Sequence, residues 1–210
     1  MKRVLSFLLA AILFAAPAFP TSWSSVAEKV LKSTVSLQLF DKTDKNFCSG
    51  FVIDSERDYV LTAEHCVMYA IRAGKRFTIN GKEATVVLRD IPEDLAVVRV
   101  EELNFPELKP SHRVMRYGDP VMAAGYAYGF LRPMVRISNV SDPAAIVDDG
   151  WCKSACLAVA LDHVGGMSGG PVVDQDGNLV GNVQFGDGKT GYGRTIGVIL
   201  AHVGKYFGRS

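Results

Sequence analysis

The sequence predicts an all-β fold in which antiparallel strands fill two similar halves of the chain. Short β-branched and alternating runs occur throughout, turn signals separate them at short intervals, and no alternating strand and helix units appear. With 48% hydrophobic and 21% charged residues among 210, the chain has enough apolar sequence for a sizeable core and is not a disordered polymer. An antiparallel barrel or sandwich fits this pattern.

The N-terminal run "MKRVLSFLLAAILFAAPAFP" sets Lys2 and Arg3 ahead of an apolar stretch from Val4 to Ala16, then Ala16-Pro17-Ala18 as a small-x-small cleavage site. It reads as a signal peptide over residues 1–18, leaving 19–210 as the mature domain. Pro17 and Pro20 cut the run below the roughly 20 apolar residues of a membrane span, so no permanent anchor is expected. Export to a periplasmic or extracellular location is.

A short amphipathic stretch, "SSVAEKVLKS", precedes the strands. The first half then reads "TVSLQLF", "SGFVID", "YVLTA", "FTIN", "ATVVLR" and "LAVVRV", with Asn80-Gly81 as a hairpin turn. Residues 101–113, "EELNFPELKPSHR", carry two prolines and little periodicity and read as a connector. The second half supplies "DPVMAAGYAY", "MVRISNV", "CLAVAL", "GPVVD", "LVGNVQF" and "TIGVIL", with a turn at Asp176-Gly177. The tail "AHVGKYFGRS" ends in a short helix on this reading. The two halves divide near 30–105 and 114–204.

Loss of residues 1–18 removes two basic residues and no acidic ones, so the mature chain is near −1 and nothing favours nucleic acid. The four cysteines, Cys48, Cys66, Cys152 and Cys156, are an even count in an exported chain, which makes disulfides the default. Three pairings are formally possible, and proximity favours Cys48 with Cys66 and Cys152 with Cys156. No His or Cys has the spacing of a zinc site, so neither metal nor cofactor is expected.

The chemistry gathers around "HVGGMSGGPV", residues 163–172, where glycines surround Ser168 and force a turn that can hold up a nucleophile. A serine needs a histidine to take its proton and a carboxylate to orient that histidine. Of the four histidines, His65 follows a strand-like run and precedes Cys66, whose bridge would pin it. Asp94 stands directly before the apolar run "LAVVRV" and supplies the candidate carboxylate.

Taken in order, "LTAEHCV", "EDLAVV" and "GMSGGPVV" resemble the trypsin-like, chymotrypsin-fold serine peptidases, over about residues 34–204. "FPELKPSHRVMRYGDPVMAAGY" and "TIGVILAHV" look closer to the bacterial Do-like, HtrA-type branch, here without a following PDZ domain. The resemblance implies two antiparallel six-stranded β-barrels with the active site in the cleft between them, and a protein or peptide substrate. It implies Ser168 as nucleophile, His65 as base and then acid, Asp94 as its orienting group, and the N–H groups of Gly166 and Ser168 as oxyanion hole. It also implies the Cys48–Cys66 bridge. "GNLVGNVQFGDG" resembles the strand beside the specificity pocket, which implies Gln184, Phe185 and Gly186 along the substrate backbone, Gly186 and Gly197 as small pocket walls, and Asp162 as a candidate pocket base.

Two residues depart from the digestive enzymes. Met167 stands where trypsins carry the aspartate that pairs with a newly cut N-terminus, so no such activation step is expected. Glu64 replaces the usual small residue before the histidine, where a carboxylate either raises the pKa of His65 or faces solvent. Two other readings compete. Gly166-Met167-Ser168-Gly169-Gly170 also satisfies the G-x-S-x-G elbow of α/β-hydrolases, but Pro171 and a strand-like run follow where that fold needs a helix. A non-catalytic binding module that keeps the peptidase fold is the remaining alternative.

Overall fold

The computed structural model describes residues 22–39, 47–72, 74, 76–147 and 152–208. The signal peptide of the sequence reading lies outside them. Helix α1 (Trp23–Ser33) opens the described chain, capped by Ser22, whose side chain accepts from the Ser25 N–H. Seven strands follow as the first sheet: β1 (Thr34–Leu39), β2 (Phe47–Asp54), β3 (Tyr59–Ala63), β4 (Phe77–Ile79), β5 (Lys82–Glu83), β6 (Thr85–Asp90) and β7 (Leu95–Arg99), with helix α2 (Glu64–Arg72) between β3 and β4. Their order is β5-β4-β1-β2-β3-β7-β6, all neighbours antiparallel. The second sheet holds β8 (Pro120–Gly125), β9 (Met134–Val147), β10 (Cys152–Val159), β11 (Pro171–Val173), β12 (Leu179–Asn182), β13 (Phe185–Gly186) and β14 (Gly191–Arg194), in the order β12-β11-β8-β9-β10-β14-β13. A bridge from Gly181 to Thr195 joins β12 back to the end of β14 and draws this sheet towards closure.

The all-β class is as expected, with seven strands in each sheet instead of six. The two-residue strands β5 and β13 account for the difference, each sitting at one edge of its sheet. Asn80 and Gly81 both take positive φ, 49° and 81°, and turn β4 into β5 as their dipeptide predicts. One expectation fails: "TIGVIL" is not a strand but the start of helix α3 (Ile196–Val203). The Thr195 hydroxyl caps it by accepting from the Val198 N–H, and Ile199 and Val203, four residues apart, share its buried face.

Three cores result. One lies within the first sheet around Val35, Leu37, Val60 and Val98, and one within the second around Val121, Leu157, Val172 and Val183. The third joins the two sheets, packing Phe51, Ile53 and Leu61 against Met122, Val173 and Leu179, with Val26 and Val30 of α1 and Ile199 and Val203 of α3. The connector crosses this junction, where the Leu108 N–H donates to Val52 O and the Ser111 N–H to Leu179 O. Both sheets are thereby held in one register, which matters because the candidate site draws residues from each.

Candidate active site

The first sheet contributes a histidine and an aspartate. Strand β3 runs straight into α2, so His65 falls in the first turn of a helix, and the neighbouring Cys66 is bridged to Cys48 on β2. Asp94 occupies the turn into β7 at φ 52°, a left-handed conformation that aspartate tolerates better than most residues. From there one carboxylate oxygen accepts the His65 backbone N–H at 2.8 Å and the other faces His65 Nδ1 at 2.8 Å. The Glu64 N–H donates to Asp94 O at 3.1 Å. Backbone and ring of the histidine are thus oriented by one side chain, which leaves Nε2 as the ring nitrogen turned away from Asp94.

The second sheet contributes the serine turn. Gly166 has φ 98° and Gly169 φ 85°, and a Cβ on either would stand 2.2 Å from a carbonyl oxygen, that of Tyr126 or of Ser49. Glycine is required at both for conformation and for space. Ser49 ties this turn to the first sheet: its N–H donates to Ser168 O at 2.8 Å and its hydroxyl to Gly166 O at 2.7 Å. The N–H groups of Gly166 and Ser168 donate to no acceptor among the described residues. Two amides left unpaired on one turn form a potential anion site. The Ser168 hydroxyl is buried and donates to Gln184 O at 2.9 Å. It makes no hydrogen bond to His65 among the described residues.

A paired histidine and aspartate, a serine on a glycine turn and two free amides are the parts of a serine hydrolase centre. The family model described as trypsin-like peptidase domain matches residues 48–181, a stretch that includes all of them. The chain belongs to the trypsin-like peptidase domain family. Among curated proteins it is 31% identical over 177 residues to the pro-apoptotic serine protease nma111 of Aspergillus clavatus, covering 75% of this chain and 17% of that protein. The chain therefore spans about a sixth of the length of that relative. Among solved structures, the inactive form of the Rv3671c protease of M. tuberculosis superposes with TM-score 0.70 at 25% identity, over 91% of this chain and 96% of that one. Deg5 superposes with TM-score 0.74 at 21% identity, over 86% and 91% of the two chains, a likeness of fold.

Within this trypsin-like peptidase domain, several expected site residues need correction. Gly197 is not a wall of the pocket beside Gly186. It lies in the first turn of α3 and lines a separate groove of about 410 Å³ with Arg113, Met115 and Pro143. The shift follows from "TIGVIL" forming a helix where a strand was expected. Asp162 is exposed and sits over a shallow hollow with Arg136, Ser138 and Ala160, so it is a solvated loop carboxylate and not a pocket base. Gly186 is at the edge strand as expected, but the space in front of it is filled. A Cβ there would lie 2.2 Å from His163 Cβ, so the open pocket implied by that glycine is closed.

Gln184 also behaves differently from its expected part in lining substrate. Its side chain is buried and its Nε2 donates to Glu93 O and Asp94 O at 2.9 and 2.8 Å, while its carbonyl accepts from Ser168. Phe185 stacks on Tyr192 across the β13–β14 pair. Met167 is fully buried in the second core, as an uncharged residue at that place should be. Glu64 is buried too, with its carboxylate on the Arg89 guanidinium. It is therefore spent on an ion pair and not aimed at His65.

Cys156 is disulfide-bonded, while the side chain of its expected partner Cys152 lies outside the described residues. His163 went unnoticed as a site residue because nothing in its spacing distinguishes it. Glu93 and Arg194 were missed as well, although an arginine inside "GYGRTIGV", among small and apolar residues, is a signal of a buried charge.

Proposed function

We propose that this domain is an exported serine endopeptidase that acts in a periplasmic or extracellular compartment and cleaves protein or peptide substrates through an acyl-enzyme. The observation that carries this reading is the double engagement of His65 by Asp94, at 2.8 Å through backbone and ring, beside a serine on a two-amide turn. In the acylation step the Ser168 Oγ–H proton passes to His65 Nε2 as Oγ bonds to the substrate carbonyl carbon. The carbonyl oxygen takes up the electron pair and is met by the Gly166 and Ser168 N–H groups. Collapse breaks the C–N bond, and the proton on Nε2 goes to the leaving amine. Water then repeats the sequence on the acyl-enzyme, returning the proton to Ser168.

For this to begin, the Ser168 hydroxyl must turn from Gln184 O towards His65, a single χ1 rotation of the kind expected between a free site and its substrate complex. Strand β13, the last in its sheet, places Phe185 and Gly186 where a substrate strand would add antiparallel. The orientation of Ser168 and the filled space before Gly186 favour one other reading, a binding module on the same fold. A fluorophosphonate probe decides between them. The mature protein should label, Ser168→Ala should not, and Asp94→Asn should lower kcat by about 10⁴-fold through the wrong tautomer. Folded wild-type protein that fails to label overturns the catalytic reading.

A further inference from the structure

Arg194 is an arginine with no exposure at all, on the last position of β14. Its donors reach across to the first sheet: Nε lies 2.9 Å from Glu93 O and 3.0 Å from Glu93 Oε2, and Nη2 is 3.4 Å from Pro92 O. On its own sheet, Nη1 lies 3.0 Å from Cys156 Sγ. Glu93 is buried, and its carboxylate also accepts the Ser154 hydroxyl at 2.5 Å. The segment so gripped is the one that carries Asp94.

That segment needs a grip. Asp94 holds a left-handed φ of 52°, a sparsely populated state that persists only where the surroundings impose it. Its own turn supplies two long bonds, from the Asp94 N–H to Ile91 O at 3.3 Å and from the Glu93 N–H to Asp90 Oδ1 at 3.2 Å. The second sheet adds to this: Glu93 O accepts from both Arg194 and Gln184, and Asp94 O accepts from Gln184 as well as from the Glu64 N–H. An arginine fork reaches both a carbonyl and a carboxylate where lysine offers a point charge. Asp90 and Asp94 also lie within electrostatic reach of the guanidinium.

We propose that Arg194 is a positioning residue for the peptidase reaction: through Glu93 it holds the Asp94 turn in the conformation that presents both carboxylate oxygens to His65. This rests on the reading of His65 and Asp94 as catalytic partners. Arg194 touches no substrate, so its removal affects the chemical step and not substrate affinity.

The test uses the mature protein with Arg194→Met and Arg194→Met/Glu93→Gln, the second of which removes the carboxylate charge that the first leaves buried and unpaired. In both, kcat on a peptide substrate should fall about 10- to 100-fold with KM unchanged, the scale of loss from a small misplacement of a catalytic group. The low-field proton resonance of His65 Nδ1–H against Asp94 should shift or broaden in both. Should Arg194→Met fail to fold, the double variant carries the test. A folded variant that keeps wild-type kcat and an unchanged resonance overturns the proposal. If wild-type protein neither labels nor cleaves, the peptidase reading fails, and the resonance still decides whether Arg194 positions Asp94.

Discussion

His163 shows how burial changes the chemistry of one side chain. It packs against Gly186, and its Nε2 is buried with no hydrogen-bond partner among the described residues. Burial disfavours its charged form and the nearby His65 disfavours it further, so its pKa lies below the ordinary histidine value. The unfolded chain takes up this proton near pH 6.5 while the folded chain resists it. Stability contributed by the neutral ring is therefore present above about pH 6.5 and is lost as pH falls below it. Urea unfolding at about pH 7.5 and about pH 5 should show a drop in the midpoint, and His163→Asn should make that drop smaller. An equal drop in the variant would assign the pH dependence to other groups.

At the scale of elements, the Cys48–Cys66 bridge decides how well α2 presents His65. It closes a separation of 18 residues and pins the helix start to β2. On the loop-entropy account, such a bridge stabilises by roughly 3 kcal/mol. The Cys48→Ala/Cys66→Ala variant should lose about 6–12 °C in Tm by calorimetry, as expected for a chain of this length. Elements were also where the sequence was most and least legible. Eleven of the twelve runs read as strands lie in the two sheets, because period-two alternation and β-branched residues respond to a half-buried sheet surface. "TIGVIL" was misread because a short apolar run looks alike as strand or buried helix, and the cap at Thr195 decided it.

On the scale of the whole molecule, the core between the sheets sets the cleft. Both terminal helices pack into it, Ile199 and Val203 from α3 meeting Val26 and Val30 from α1 against side chains of both sheets. Ile199→Ala opens a cavity at this junction and should cost about 2–5 kcal/mol by denaturant unfolding. Because Ser49, Gln184 and Arg194 cross the same junction by hydrogen bonds, the midpoint for loss of probe labelling should coincide with that for loss of fold. Labelling lost well before unfolding would show that the two sheets come apart independently.

The sequence by itself determined the class of fold and the residues that could carry chemistry: alternation marked the strands, and glycines around Ser168, a histidine before a cysteine and an aspartate before an apolar strand marked the site. These are local signals, each set by the conformational or chemical needs of a few neighbouring residues. Only the tertiary structure decided that Asp162 is solvated, that His163 fills the space before Gly186, that Glu64 is held by Arg89, and that Arg194 grips the turn of Asp94. Those outcomes depend on what lies opposite a side chain when two sheets pack, and partners 101 residues apart, such as Arg194 and Glu93, leave no spacing in the chain that could reveal them.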